Sequence, residues 1–92
     1  MKNLTACQTI AKWVSDLTLE KVPPNVYQAG LQSLVDVIGC MLGGSKIKAV
    51  EKLCDLTKIQ HGNGHCSILG TGDHTSAIGA ALANGAAAHA LD

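Results

Sequence analysis

The chain has 92 residues, with seven basic and seven acidic side chains, so its formal net charge is zero. Because the charges cancel and no run of Lys or Arg stands out, the sequence lacks the basic patch expected of a protein that binds nucleic acid or a charged membrane surface. The length predicts one small domain near the lower limit of independent stability, and aromatic residues are scarce, so we expect a thin core that relies on other protein surface.

The four cysteines are predicted to be reduced thiols. Cys7, Cys40, Cys54 and Cys66 are widely and irregularly spaced, and no secretory signal precedes them. No stretch reaches the roughly 20 apolar residues that a transmembrane helix needs. We therefore expect a cytoplasmic protein that does not enter the membrane.

The first two helices have clear boundary signals. Thr5 and Gln8 fit a capping box, in which each side chain satisfies a backbone N–H of the other residue. Apolar residues then recur at helical spacing, at Ile10, Trp13, Val14 and Leu17. A second helix is predicted to begin at Pro24 and to end at the glycine pair 43–44.

The second half of the chain predicts two further helices. Ser45 is expected to cap a third helix, which ends in the flexible stretch HGNGH. The run CSIL predicts a short extended segment but no sheet. Ser76 or Thr75 is expected to begin a final helix that runs to the end of the chain. The predicted fold class is therefore all-α, a small bundle of three to four helices with short connections.

Two possible ligand sites in this half are disfavoured. The glycines of SILGTGDHTSAIG resemble a phosphate-binding turn, but Thr75 stands where the dinucleotide fingerprint needs glycine, and no P-loop lysine is present. Four potential zinc ligands lie within thirteen residues, at Cys54, His61, His65 and Cys66. Two of them are adjacent, and neighbouring side chains of an extended segment point in opposite directions. We therefore expect no metal and no cofactor.

The last sixteen residues, AIGAALANGAAAHALD, are rich in small residues and end on polar ones. If they are helical, one face carries Ile78, Leu82, Gly85, His89 and Asp92. This spacing predicts that Ile78 and Leu82 are core anchors and that His89 interacts with Asp92. The helix dipole disfavours an aspartate at this end, so Asp92 does not stabilise the helix. Physical reasoning alone favours two ordinary polar residues where the helix leaves the core.

Three motifs in register give the sequence a resemblance to a known family. The stretch ALANGAAAHALD resembles a block of the MmgE/PrpD family in which A-x-x-N-G leads to H-x-x-D and then F-D-D. The stretch VPPNVYQAGLQSLVDVIGCMLGGS resembles the second helix of that family, and CSILGTG resembles its V-L-G-T-G turn. The family includes 2-methylcitrate dehydratase, cis-aconitate decarboxylase and iminodisuccinate epimerase.

The resemblance implies that residues 1–92 are the incomplete N-terminal portion of a larger helical domain. The parent enzyme is then expected to be a homodimeric lyase whose substrate is a small carboxylic acid. The chemistry expected first is that of a 2-methylcitrate dehydratase acting on a tricarboxylic acid, and a decarboxylase or an epimerase is the alternative within the family.

By position in the family block, Asp92 matches an active-site acid and His89 begins the same block. We expect Asp92 to act as an acid or base, or to orient the substrate, and His89 to orient Asp92. The chain alone is predicted to have no turnover, because the other groups of such a site are absent from it. The alternative from another class is a non-catalytic helical module that packs its Ala/Gly face on a partner.

Overall fold

The computed structural model describes residues 3–91, which fall into two units, residues 3–31 and residues 32–91. The elements follow in the order α1 (Ala6–Asp16), a 3₁₀ turn (Leu19–Lys21), α2 (Pro24–Gly44), α3 (Lys48–His61), β1 (Cys66–Ile68), β2 (Asp73–Thr75) and α4 (Ala77–His89). The expected helical fold class is confirmed, with a small two-stranded sheet in addition. None of the helices in residues 3–91 has the length and apolar character to cross a bilayer.

The first unit is built from local interactions. The predicted capping box is present: Thr5 Oγ1 accepts from the Gln8 N–H at 3.1 Å, and Gln8 Oε1 accepts from the Thr5 N–H at 2.9 Å. Helix α2 begins at Pro24, as predicted, because a proline at the first helical position loses no intrahelical hydrogen bond. The apolar side chains of α1 are exposed, with Trp13 at 62%.

The prediction that Ser45 caps α3 is wrong. Ser45 is buried, and its hydroxyl donates to the carbonyl of Leu42 at 2.7 Å, so it closes the last turn of α2. Helix α3 instead begins after Ile47, which makes no side-chain capping bond. A hydroxyl that donates back to a carbonyl three residues earlier is no longer oriented to accept from the N–H groups of the following helix.

The extended segment CSI forms a sheet, contrary to the prediction. Strand β1 pairs with β2 in antiparallel register, with Ser67 opposite His74. Gly70 and Gly72 have φ values of 83° and 76° in the turn between the strands, a conformation that favours glycine. The hydroxyl of Thr71 donates to Ile68 O at 2.7 Å and accepts from the Asp73 N–H at 3.0 Å.

The core of the second unit lies where α3, the hairpin and α4 meet. Its buried apolar members are Val50, Cys54, Ile68, Ala83 and Ala87. Small residues allow close contact. A Cβ on Gly44 would collide with the backbone of Ala87, and a Cβ on Gly79 would lie 2.9 Å from the methyl carbons of Thr57 and Thr75. Close backbone approach therefore takes the place of large side chains.

Helix α4 begins as predicted and ends earlier than predicted. Ser76 Oγ accepts from the Gly79 N–H at 3.1 Å and caps the helix. The helix ends at His89, where the Ala90 N–H bonds to Ala87 O at 3.3 Å in place of a bond four residues back. Three-residue bonds of this kind commonly close the last turn of a helix.

Candidate functional site

The polar residue at the end of α4 is the first part of the candidate site. His89 is the last helical residue, and its side chain is exposed. Asp92, and with it the expected contact between His89 and Asp92, lies outside the described residues. Their roles stay predictions.

The face of α4 that carries His89 is not the buried one. The prediction that Ile78 and Leu82 are core anchors is wrong, since they are 71% and 49% exposed. The buried residues of the helix are Gly79, Ala80, Ala83 and Ala87. The core selects this face because its small side chains let α3 and the hairpin approach closely. An open strip therefore runs along α4 from Ile78 to His89.

The orientation of α4 depends on Asn84, to which the sequence analysis assigned no role. Its Oδ1 accepts from the Leu69 N–H at 2.9 Å, and its Nδ2 donates to the Ser67 carbonyl at 3.0 Å. The two bonds join α4 to β1 and to the residue after it. The asparagine of the A-x-x-N-G motif was the available signal, but the sequence does not show which backbone groups it meets.

A second polar region lies between α3 and the turn of the hairpin. It is a cleft of about 280 Å³ whose charged lining residues are Lys46, Glu51, Asp55, Lys58 and Asp73. Lys58 Nζ lies 2.9 Å from Asp73 Oδ2 and 3.5 Å from Asp55 Oδ1. Lys46 Nζ donates to the carbonyl of Gly70 at 3.3 Å. Both lysines therefore bond to protein groups: Lys58 joins α3 to β2, and Lys46 joins the connection between α2 and α3 to the hairpin turn.

Two groups that line this cleft have raised pKa values, for different reasons. The hydrogen bond from Lys58 to Asp73 raises the pKa of the lysine above its ordinary value of 10.5. Burial raises the pKa of the Cys54 thiol, which lines the same cleft, and the nearby Lys58 ammonium partly opposes this effect. Cys54 is consequently an uncharged core thiol at neutral pH, and all four cysteines are free.

The structure shows where the residues of the two disfavoured ligand sites lie. Gly70 and Gly72 belong to the hairpin turn, and β2 separates them from the start of α4, so they do not precede a helix as phosphate-binding glycines do. Cys54 is buried in α3, whereas His65 and Cys66 are exposed. Across residues 3–91, no three His, Cys, Asp or Glu side chains come together as a metal site would require.

The chain is similar to named proteins over most of its length. The profile of the MmgE/PrpD N-terminal domain matches residues 8–92. The cis-aconitate decarboxylase-like protein oryM of Aspergillus oryzae is 29% identical over 90 residues, which cover 98% of this chain and 18% of that protein. A cis-aconitate decarboxylase of Aspergillus terreus is 27% identical over 77 residues, which cover 84% of this chain and 16% of that enzyme. This chain thus spans less than a fifth of the length of these relatives. No solved structure matches it.

Proposed function

Because the chain belongs to the MmgE/PrpD family, we propose that it forms part of the active site of a lyase that acts on a citrate-like tricarboxylic acid. The observation that carries this proposal is that the family match includes both His89, the last residue of α4, and Asp92. The exposure of His89 supports it, because a catalytic side chain must be reached by substrate.

The chemistry of such a lyase explains why an acid or base is needed here. Loss of CO₂ breaks a carbon–carbon bond and leaves an electron pair on carbon, which a proton donor must then quench. Loss of water removes a proton from one carbon and hydroxide from its neighbour. Either reaction uses a group whose pKa lies near the operating pH. In the proposal Asp92 exchanges this proton, and His89 orients Asp92 through a hydrogen bond.

Decarboxylation of cis-aconitate is the reaction to test first, because the names of two relatives contain it. The dehydration of 2-methylcitrate, which the sequence led us to expect, stays a prediction. An epimerase of the same family is the alternative. An acidic residue and a histidine suit the proton transfers of all three reactions, so these two residues alone do not select among them.

The proposed site needs more protein than this chain. Neither His89 nor Asp92 carries a permanent positive charge with which to neutralise three substrate carboxylates. The strip from Ile78 to His89 is open, and its apolar side chains are 71% and 49% exposed at Ile78 and Leu82. We propose that further protein surface covers this strip and supplies the missing groups. The 92-residue chain alone is therefore predicted to have no turnover.

A chimera tests the proposed function. Residues 1–92 of this chain, with His89 and Asp92 included, replace the corresponding N-terminal region of the Aspergillus terreus decarboxylase, and CO₂ release from cis-aconitate is measured. We expect the chimera to release CO₂ and the 92-residue chain alone to release none. A chimera that is folded by circular dichroism but neither decarboxylates cis-aconitate nor dehydrates 2-methylcitrate would contradict the proposal.

The non-catalytic helical module remains the candidate from another class. The observation in its favour is the exposure of apolar side chains on α1 and α2, such as Trp13 at 62% and Val35 at 71%. It predicts a folded chimera without activity. The cytoplasmic location and the homodimeric parent expected from the sequence stay predictions.

A further inference from the structure

The side-chain amide of Asn84 occupies the place that the N–H and C=O groups of one residue of a third strand would take beside β1. It accepts from the Leu69 N–H at 2.9 Å and donates to the Ser67 carbonyl at 3.0 Å. In an extended chain, the carbonyl of one residue and the N–H two residues later point to the same side. A neighbouring parallel strand binds this pair through a single residue. Asn84 reproduces that pattern with one side chain.

The hairpin needs such a partner. Each strand has three residues, and an isolated two-stranded hairpin is marginally stable in water. The outer edge of β1 also presents unpaired backbone groups, which an amide satisfies. Since one bond uses a donor of Asn84 and the other uses an acceptor, rotation or translation of α4 breaks at least one of them.

The two hydrogen bonds of Asn84 also affect the orientation of the last turn of α4. His89 follows Asn84 by five residues, about 7.5 Å along the helix axis at the usual helical rise. The intervening residues are helical throughout, so the orientation set at Asn84 is carried to the last turn. Beside Asn84 on the helix, Ala83 and Ala87 are buried in the core, and they provide contact without directional bonds.

We propose that Asn84 is the positioning residue of the candidate site: its amide fixes the rotation and height of α4 against the hairpin, and so sets the direction in which His89 is presented. The catalytic purpose of this placement rests on the proposed function, whereas the coupling between Asn84 and His89 does not.

Replacement of Asn84 by aspartate isolates the coupling. Asn84→Asp keeps the size of the side chain and the acceptor for the Leu69 N–H, but a carboxylate oxygen then faces the Ser67 carbonyl without a proton. Protonation of the new carboxyl restores the donor. Both hydrogen bonds to the hairpin are therefore expected at low pH. The bond to the Ser67 carbonyl is lost as pH rises through the raised pKa of the new carboxyl group. Asn63→Asp, at an exposed loop position, is the matched control.

Nuclear magnetic resonance of the 92-residue chain gives both readouts. At pH 7 we expect the protection factor of the Leu69 amide to fall at least about tenfold in Asn84→Asp relative to the control, and to recover towards pH 4. We also expect the imidazole resonances of His89 to shift at pH 7 while those of His65 stay in place. A merely structural amide would change the protection of Leu69 and leave His89 unmoved.

An unchanged His89 signal in a folded Asn84→Asp variant would overturn the proposal, and so would unchanged protection of Leu69. If that variant is unfolded at pH 7, Asn84→Gln takes its place. It keeps both hydrogen-bonding groups but displaces them by one methylene, so Leu69 should lose less protection while His89 still shifts. None of these readouts uses turnover, so a failed chimera assay and a failed coupling test are separate results.

Discussion

The two units of the chain are stabilised in different ways. Within residues 3–31, every side-chain hydrogen bond joins groups no more than five residues apart, and no residue is buried. Within residues 32–91, five side-chain hydrogen bonds span 13 to 24 residues, and a core forms between α3, the hairpin and α4.

The comparison shows that local signals predict where a helix forms, whereas contacts between distant residues determine where a helix is placed. The capping box and the helical spacing predicted α1 correctly, although α1 has no buried residue. The placement of α4 depends in addition on small residues that allow close approach and on polar bonds to the hairpin, such as those of Asn84. The candidate site lies in the second unit, where side chains are held by distant parts of the sequence.

The substitution with the largest expected effect disrupts the close contact between Gly44, at the end of α2, and Ala87 on α4. In Gly44→Ala the new Cβ would collide with Ala87, whose carbonyl carbon is 2.7 Å away. We expect a loss of about 3 kcal/mol in unfolding free energy, measured by urea denaturation. Gly39→Ala, on the same helix, meets nothing within 4 Å and should gain about 0.5–1 kcal/mol. Equal effects of the two substitutions would contradict the packing described for the second unit.

Thiol alkylation compares the units directly. Cys7 in the first unit is exposed, whereas Cys54 is 4% exposed and burial raises the pKa of its thiol. We expect iodoacetamide at pH 8 to modify Cys54 about 100-fold more slowly than Cys7, because its reaction requires local opening. Cys66, exposed on β1, is the control within the second unit. Similar rates at Cys54 and Cys66 would show that the core is open.

The smallest effect concerns the ion pair between α3 and β2. The Asp73 carboxylate raises the pKa of Lys58, so the pair stabilises the folded state below the ordinary lysine pKa of 10.5. This stabilisation is lost as pH rises through the raised pKa. Asp73→Asn should lower the melting temperature slightly from pH 7 to 9, since both side chains are partly exposed. The difference from the unsubstituted chain should vanish above that pKa. A difference that persists there would contradict the assignment.

The helices were predictable because their signals are local. The capping box at Thr5, the start of α2 at Pro24 and the cap of α4 at Ser76 are all confirmed. Strand β2 was missed because Asp73–Thr75 is too short to show an apolar alternation and is stabilised by pairing with β1. The error at Ser45 has a related cause, since its hydroxyl has carbonyl and N–H groups within reach on both sides.

The buried face of α4 was predicted wrongly because nearly every face of this helix is apolar. Hydrophobic spacing selected Ile78 and Leu82, yet the packed face is the one that bears the smallest side chains. The contact made by Asn84 depends on the position of the hairpin, which was not predicted. The candidate residues His89 and Asp92 came from helical spacing and from the family motif, and their catalytic roles stay predictions.

The central claim is that the end of α4 is the edge of an active site. The most direct test is the rate of CO₂ release from cis-aconitate by the chimera carrying Asp92→Asn, compared with Asp16→Asn, an exposed carboxylate of α1. If Asp92 exchanges the proton, Asp92→Asn lowers kcat at least about 100-fold, while Asp16→Asn stays within about twofold of the chimera. Equal rates in the two variants would contradict the claim.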